Sequence, residues 1–130
     1  MKLPGPDHPI SITPHRGRVR VISHGRVVAD STRALALYEK SSPPRFYIPR
    51  EDAEMALFER TPHTSYCPYK GDAAYYSIRI GEAVSENAIW SYEHPYPAVA
   101  AIAGRLAFYS DRVDAIEVVT ADRQHLARRE

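Results

Sequence analysis

The run Ala73-Ala74-Tyr75-Tyr76-Ser77-Ile78-Arg79-Ile80-Gly81-Glu82-Ala83-Val84-Ser85-Glu86-Asn87-Ala88-Ile89-Trp90-Ser91-Tyr92 decides the fold. Two stretches rich in apolar, aromatic and alternating polar residues flank a Gly-Glu pair, the pattern of an antiparallel hairpin. A two- or four-residue loop there sets Ser77 opposite Glu86, Tyr75 opposite Ala88 and Ala73 opposite Trp90. Side chains alternate between faces along a strand. One face then carries Tyr75, Ser77, Arg79, Glu86, Trp90 and Tyr92, and the other Tyr76, Ile78, Ile80, Asn87 and Ile89. The first face has the makings of a polar pocket floored by rings. It reads equally well as an exposed sheet face with ordinary cross-strand pairs, Arg79 and Glu86 being diagonal neighbours. A three-residue loop would move Glu86 to the opposite face.

Immediately upstream lies Thr64-Ser65-Tyr66-Cys67-Pro68-Tyr69-Lys70-Gly71, which contains the only cysteine of the chain. Proline and glycine do not suit a core strand, and two tyrosines do not suit an ordinary solvent loop. The composition predicts a tight, partly buried turn that places a thiol and a cation. A reactive thiolate needs a base or a positive neighbour, for which Lys70 and His63 are the candidates. Cys67 precedes a proline and opens no helix, so a small buried hydrophobe is the stronger reading. Lys70, between Tyr69 and Gly71, suits an anion contact, where a turn offers backbone N–H groups and a cation together. The alternative is a solvated turn lysine, and the segment lacks the further glycines and the Ser or Thr of a phosphate loop.

Outward from this centre, Arg18–Ser23 and Arg26–Asp30 flank His24-Gly25 and predict a second hairpin. Residues 33–38 fit a short capped helix and a strand about equally. Arg45–Ile48 reads as a short strand. Pro49–Phe58, with acids in its first turn and Ala53, Leu57 and Phe58 on one stripe, predicts a short helix. Ala98–Ala103, stopped at Gly104, predicts another. Residues 105–109 and 114–119 supply two last strands. Residues 1–17 hold four prolines, two glycines and two histidines, and read as an extended Pro-rich arm in which His8 and His15 are not preorganised for metal. The expected organisation is therefore this arm at 1–17, one mainly β (α+β) domain at 18–120, and a charged tail at 121–130.

Global numbers narrow the function classes. A chain of 130 residues can bury a core as one domain without staples. With 17 basic and 16 acidic residues, no field of one sign is available for a nucleic-acid backbone or an anionic membrane. One cysteine forms no internal disulfide. No run resembles a signal peptide or reaches membrane-spanning length, so a soluble, cytoplasmic protein is the expectation. No cysteine/histidine set has zinc spacing, and Ser77 lacks a Ser-His-Asp context.

Several motifs taken in order resemble one family. They are Val27-Val28-Ala29-Asp30-Ser31; Tyr47-Ile48-Pro49; Thr64-x-x-Cys67-Pro68-Tyr69-Lys70-Gly71-x-Ala73-x-Tyr75-x-Ser77; Glu86-Asn87-x-x-Trp90-x-Tyr92; and Ile102-Ala103-Gly104-x-x-Ala107-Phe108-Tyr109. Together, over roughly Arg18 to Val119, they look like the bacterial and fungal domain of unknown function 427 family, catalogued under a nucleotidyltransferase-type label. The resemblance implies a compact, Mss4-like, tent-shaped antiparallel β domain with two or three short helices. Zinc-binding relatives of that topology use paired cysteine motifs, so with one cysteine no structural zinc is expected, and no cofactor. The residues matching the shared pattern are Cys67, Lys70, Tyr75, Ser77, Asn87, Trp90 and Tyr92; Tyr69 and Glu86 join them as candidate ligand contacts. Two functions follow. One is binding of a small anionic or nucleotide-like ligand, with Lys70 on the anion, Trp90 and Tyr75 stacking a ring and Glu86 as hydrogen-bond partner or base. The other is a non-catalytic interaction or homodimerisation domain whose aromatics are core or interface. Nucleotidyl transfer normally needs carboxylates that hold Mg²⁺, and Glu86 has no evident carboxylate partner, so binding ranks ahead of transfer.

Overall fold

A computed structural model describes residues 1–121. The predicted tail beyond Ala121 lies outside the described residues. The chain is mainly β, with ten strands in three antiparallel sheets among those residues. The first sheet has the order β1 (Ile10–Pro14), β4 (Leu35–Glu39), β5 (Arg45–Tyr47). The second has the order β10 (Ala115–Thr120), β2 (Gly17–Ser23), β3 (Arg26–Ser31). The third has the order β6 (Phe58–Cys67), β7 (Gly71–Ile80), β8 (Ala83–Ser91), β9 (Ala107–Phe108).

Both predicted hairpins form. His24 and Gly25 connect β2 to β3 with φ of 48° and 73°, the left-handed pair that matches strand twist in a two-residue loop. Of residues 33–38, open between helix and strand, Leu35–Tyr38 enter β4. Leu37 and Ala36 are buried there while Tyr38 is exposed.

Three expectations are corrected. Residues 1–17 are no free arm: β1 pairs with β4 from Ile10↔Glu39 to Pro14↔Leu35, and Lys2 N–H donates to the Pro68 carbonyl at 2.7 Å. The prolines that suggested an arm sit where no ladder bond is required, at the end of an edge strand and in the preceding turn. The helix expected over 49–58 is broken into single 3-10 turns at Arg50–Asp52 and Met55–Leu57. Between them Ala53 is extended and bridges Ala29, while Glu54 N–H donates to the Val28 carbonyl; cross-chain bonds replace helical ones. Phe58 then opens the ten-residue strand β6, so only Pro68–Lys70 remain as the turn into β7. The third helix is a 3-10 segment, Pro97–Ile102, kinked at Val99, and a further 3-10 turn spans Ser110–Arg112.

Two hydrophobic cores result, and β7 feeds both. Tyr76 and Ile78 enter a core with Val19, Val21, Val28, Ile48 and Phe108. Ala73 and Tyr75 enter another with Leu37, Tyr47, Trp90, Tyr92 and Ile102. Neighbours on β5 and β9 divide the same way: Phe46 and Phe108 to the first core, Tyr47 and Ala107 to the second. This period-two split places the site residues below on one side of the third sheet.

Candidate functional site

The β7–β8 register holds near its loop and then shifts. Ile80↔Ala83, Arg79↔Val84 and Ile78↔Ser85 pair as a two-residue loop requires, but Tyr76 pairs with Ile89 and Tyr75 with Trp90. Tyr75 is therefore opposite Trp90, not Ala88; Trp90 is not opposite Ala73, and Ala74 pairs with Ser91. The shift is a bulge centred on Asn87, whose φ is 49° and whose N–H donates to Ser77 Oγ at 3.0 Å. Its side-chain oxygen accepts from Thr61 Oγ1 at 2.6 Å. Asparagine tolerates this left-handed backbone better than most residues.

The bulge separates the predicted site residues into two groups. Lys70, Tyr75, Trp90 and Tyr92 converge on one cavity of about 240 Å³, completed by Leu37, Glu39, Arg45, Tyr47 and Tyr109. Ser77, Glu86 and Asn87 instead line a different recess of about 290 Å³ with Thr61, Pro62 and His63. Glu86 is exposed there. Its expected place beside Trp90 is lost because the bulge ends the face that strict alternation would have continued.

The first cavity is a cage of rings. Trp90 Nε1 donates to Tyr47 Oη at 3.2 Å, and the two rings meet edge to face with centroids 6.3 Å apart. Tyr109 lies 4.5 Å from Trp90 and shares a 3.1 Å hydroxyl contact with Tyr75, whose hydroxyl also meets Ser65 Oγ at 2.9 Å. Burial pushes the phenols of Tyr47 and Tyr92 far above their usual range. Burial, then the hydrogen bond with Tyr75, pushes Tyr109 up to about 12. These hydroxyls stay protonated at neutral pH and serve as neutral donors and acceptors.

Lys70 sits on one wall, only 8% exposed, with its Nζ 5.9 Å from the Tyr92 ring centroid. Its charge is already matched: Nζ donates to Glu39 Oε1 at 2.5 Å, while His8 Nε2 meets Glu39 Oε2 at 2.5 Å. Burial raises the Glu39 carboxyl, and the hydrogen bonds and charges of Lys70 and His8 outweigh it, leaving Glu39 below the usual carboxylate range. The cation without an ion pair among the described residues lining this cavity is Arg45, at the start of β5. Sequence reasoning missed Arg45, Glu39 and Tyr47 as site residues: Tyr47 stands in the Tyr47-Ile48-Pro49 motif without a role of its own, and nothing local marks the other two.

The remaining turn residues have other employment. Tyr69 stacks on the His8 ring at 3.8 Å with planes 4° apart, pinning the N-terminal segment. Cys67 is a partly buried free thiol packed against the second core and is not part of the cavity wall. With Lys70 committed to Glu39, and His63 set edge-on to Tyr75 at 4.4 Å, neither candidate activator is directed to the thiol.

A second polar network was also illegible in the sequence. Glu93 accepts from Arg50, Arg60 and Tyr76 at 3.0, 2.7 and 2.8 Å, and Arg50 Nε donates to the Gly104 carbonyl at 2.6 Å. Every group in it is engaged within the protein, which makes it a clamp between β8 and the segments that follow β5 and precede β9. Among the described residues no three His, Cys, Asp or Glu side chains cluster in a way that would hold a metal ion, and no helix is long and apolar enough to cross a membrane.

No curated protein matches the chain. The family model described as a domain of unknown function (DUF427), under the label NTP_transf_9, matches residues 11–119, from within β1 to within β10, and includes every residue of the aromatic cavity. The chain belongs to the DUF427 family.

Proposed function

We propose that the aromatic cavity binds a small anionic, nucleotide-like ligand, with Arg45 as its anion contact. The observation that carries this reading is the charge arrangement: Lys70 and Glu39 neutralise each other, and Arg45 has no ion pair among the described residues on a wall that is mostly rings. A guanidinium presents a planar fork that suits carboxylate or phosphate oxygens, and the neighbouring phenols add neutral hydrogen-bond groups. Trp90 and Tyr75 supply the faces for a planar group. Lys70 and Glu39 then act as a fixed wall that positions the rings, and Lys70 is not itself the anion contact.

Binding is favoured over nucleotidyl transfer because the carboxylate of this cavity, Glu39, has both oxygens occupied by Lys70 and His8. Transfer chemistry would call on carboxylates free to hold a metal ion. A thermal-shift screen with inorganic phosphate, nucleoside monophosphates and small carboxylates tests the reading. Stabilisation of the wild type that is lost in Arg45→Ala supports it; no stabilisation by any anion, or stabilisation untouched by Arg45→Ala, overturns it.

An interaction surface is the second reading, supported by β6. This ten-residue strand is an edge of its sheet and carries Tyr66, 56% exposed. Pro62 and the register break between Arg60 and Thr64 disfavour pairing with another strand there, which ranks it second. Sedimentation of a dimer that Tyr66→Glu dissociates would support it.

A further inference from the structure

A second cavity, of about 150 Å³, shares Trp90 and Arg45 with the aromatic cavity. Its remaining wall is almost wholly apolar: Val19 and Val21 from β2, Phe46 and Ile48 around β5, Phe108 from β9 and Ile116 from β10. Ser110, exposed, stands at its edge. Four of those wall residues (Val19, Val21, Ile48 and Phe108) belong to the first core and are almost fully buried, so the hollow is a recess over packed structure, its open sides formed by Pro44, Arg45, Phe46, Ser110 and Ile116. Empty apolar space of this kind forgoes dispersion contacts that an apolar guest would restore. Its volume is that of a cavity able to hold a benzene-sized group.

We propose that the two cavities are one bipartite site, and that the ligand is a small organic anion carrying a benzene-sized apolar group. The anionic head meets Arg45 at the junction, the polar or planar part enters the ring cage, and the apolar group passes Trp90 into the second cavity. The charge pattern selects this occupant. Arg45 is an exposed cation without an ion pair among the described residues, set at the meeting point of a phenol-lined cavity and an apolar one. An inorganic anion would leave the apolar cavity unused, and a neutral hydrocarbon would leave Arg45 unpaired. The proposal rests on the aromatic cavity being an anion site and names the class of anion it takes.

The test is calorimetric titration of three phosphate monoesters, methyl, benzyl and naphthylmethyl phosphate, on the wild type, Ser110→Trp and Ile116→Ala. Burying a benzene-sized group predicts benzyl phosphate about tenfold or more tighter than methyl phosphate on the wild type. Ser110→Trp, at an exposed position that leaves the core intact, is predicted to abolish that gain while methyl phosphate binds as before. Ile116→Ala, which enlarges the second cavity, is predicted to shift preference toward naphthylmethyl phosphate. Methyl and benzyl phosphate binding equally, or a benzyl gain that survives Ser110→Trp, would overturn the bipartite site and leave the anion site standing. No binding of any ester would overturn both.

Discussion

Lys70 and Glu39, 31 residues apart in the chain, form the ion pair that closes one wall of the aromatic cavity, with Nζ 2.5 Å from Oε1. Glu39 is the last residue of β4 and Lys70 the last of the turn before β7, so the pair ties the first sheet to the third. His8 occupies the second carboxylate oxygen and stacks on Tyr69, which brings the N-terminal segment into the same knot. The pair therefore sets both the charge of the cavity and the attachment of the first ten residues.

That arrangement predicts coupling in a double-mutant cycle. Lys70→Met alone leaves the Glu39 carboxylate with His8 as its one remaining partner and is expected to cost about 1–3 kcal/mol in urea denaturation. Glu39→Gln combined with Lys70→Met is expected to cost less than the sum of the single changes, because neither partner is left as an uncompensated charge. Strict additivity would mean that the pair contributes no interaction energy.

Acid sensitivity follows from the two engaged carboxylates. Glu39 and Glu93 are both held below their ordinary range: burial acts upward and is outweighed by hydrogen bonds from Lys70 and His8 in one case, and from Tyr76, Arg60 and Arg50 in the other. A folded-state pKa below the unfolded one means that more protons are bound on unfolding. The stabilisation is thus complete above the unfolded value of about 4.3 and is lost as pH falls through the folded value. Urea midpoints measured from pH 7 downward should stay level and then drop below about pH 5. Glu93→Gln should flatten that drop while lowering the plateau.

The Asn87 bulge predicts an unusual order of substitutions. Its φ of 49° favours glycine or asparagine, and its side chain accepts from Thr61. Asn87→Gly should lose little beyond that hydrogen bond, about 1 kcal/mol. Asn87→Val should lose the bond and add left-handed strain, roughly 1–2 kcal/mol more. Equal stability of the two variants in urea would contradict the strain argument.

Inside the cage, Tyr47→Phe removes the acceptor of the Trp90 indole N–H in a buried place. The expected cost is about 1–2 kcal/mol, with a shift of Trp90 emission that needs no ligand. An unchanged emission and midpoint would mean that the indole finds another acceptor.

What was legible in the sequence was what local chemistry determines. The His24-Gly25 and Gly81-Glu82 loops announce themselves by residue type, and period-two alternation correctly put Tyr75, Trp90 and Tyr92 on one face. Alternation failed at Glu86 because a single left-handed residue resets the register. The polar Glu86-Asn87 pair interrupting an apolar run was the one available signal. Strand β1 was hidden by Pro14 and the three prolines before it, since its hydrogen bonds come from β4, more than twenty residues away. Arg45 and Glu39 could not be read as site residues for the same reason, and the Tyr47-Ile48-Pro49 motif gives Tyr47 no place: all three reach the cavity through pairing of β4 with β5, which no short motif encodes. The turn at Cys67–Gly71 is marked by its composition, but the partner that commits Lys70 lies in a segment with no mark of its own.

Trp90 is the only tryptophan of the chain and forms part of the cavity wall, so its emission reports directly on occupancy. The most direct measurement is a Trp90 fluorescence titration with benzyl phosphate on the wild type and on Arg45→Ala. The account predicts a saturable change in the wild type and at least about tenfold weaker binding in the variant, as expected for loss of a charge-assisted contact. No saturable change in the wild type, or the same affinity in Arg45→Ala, would contradict it.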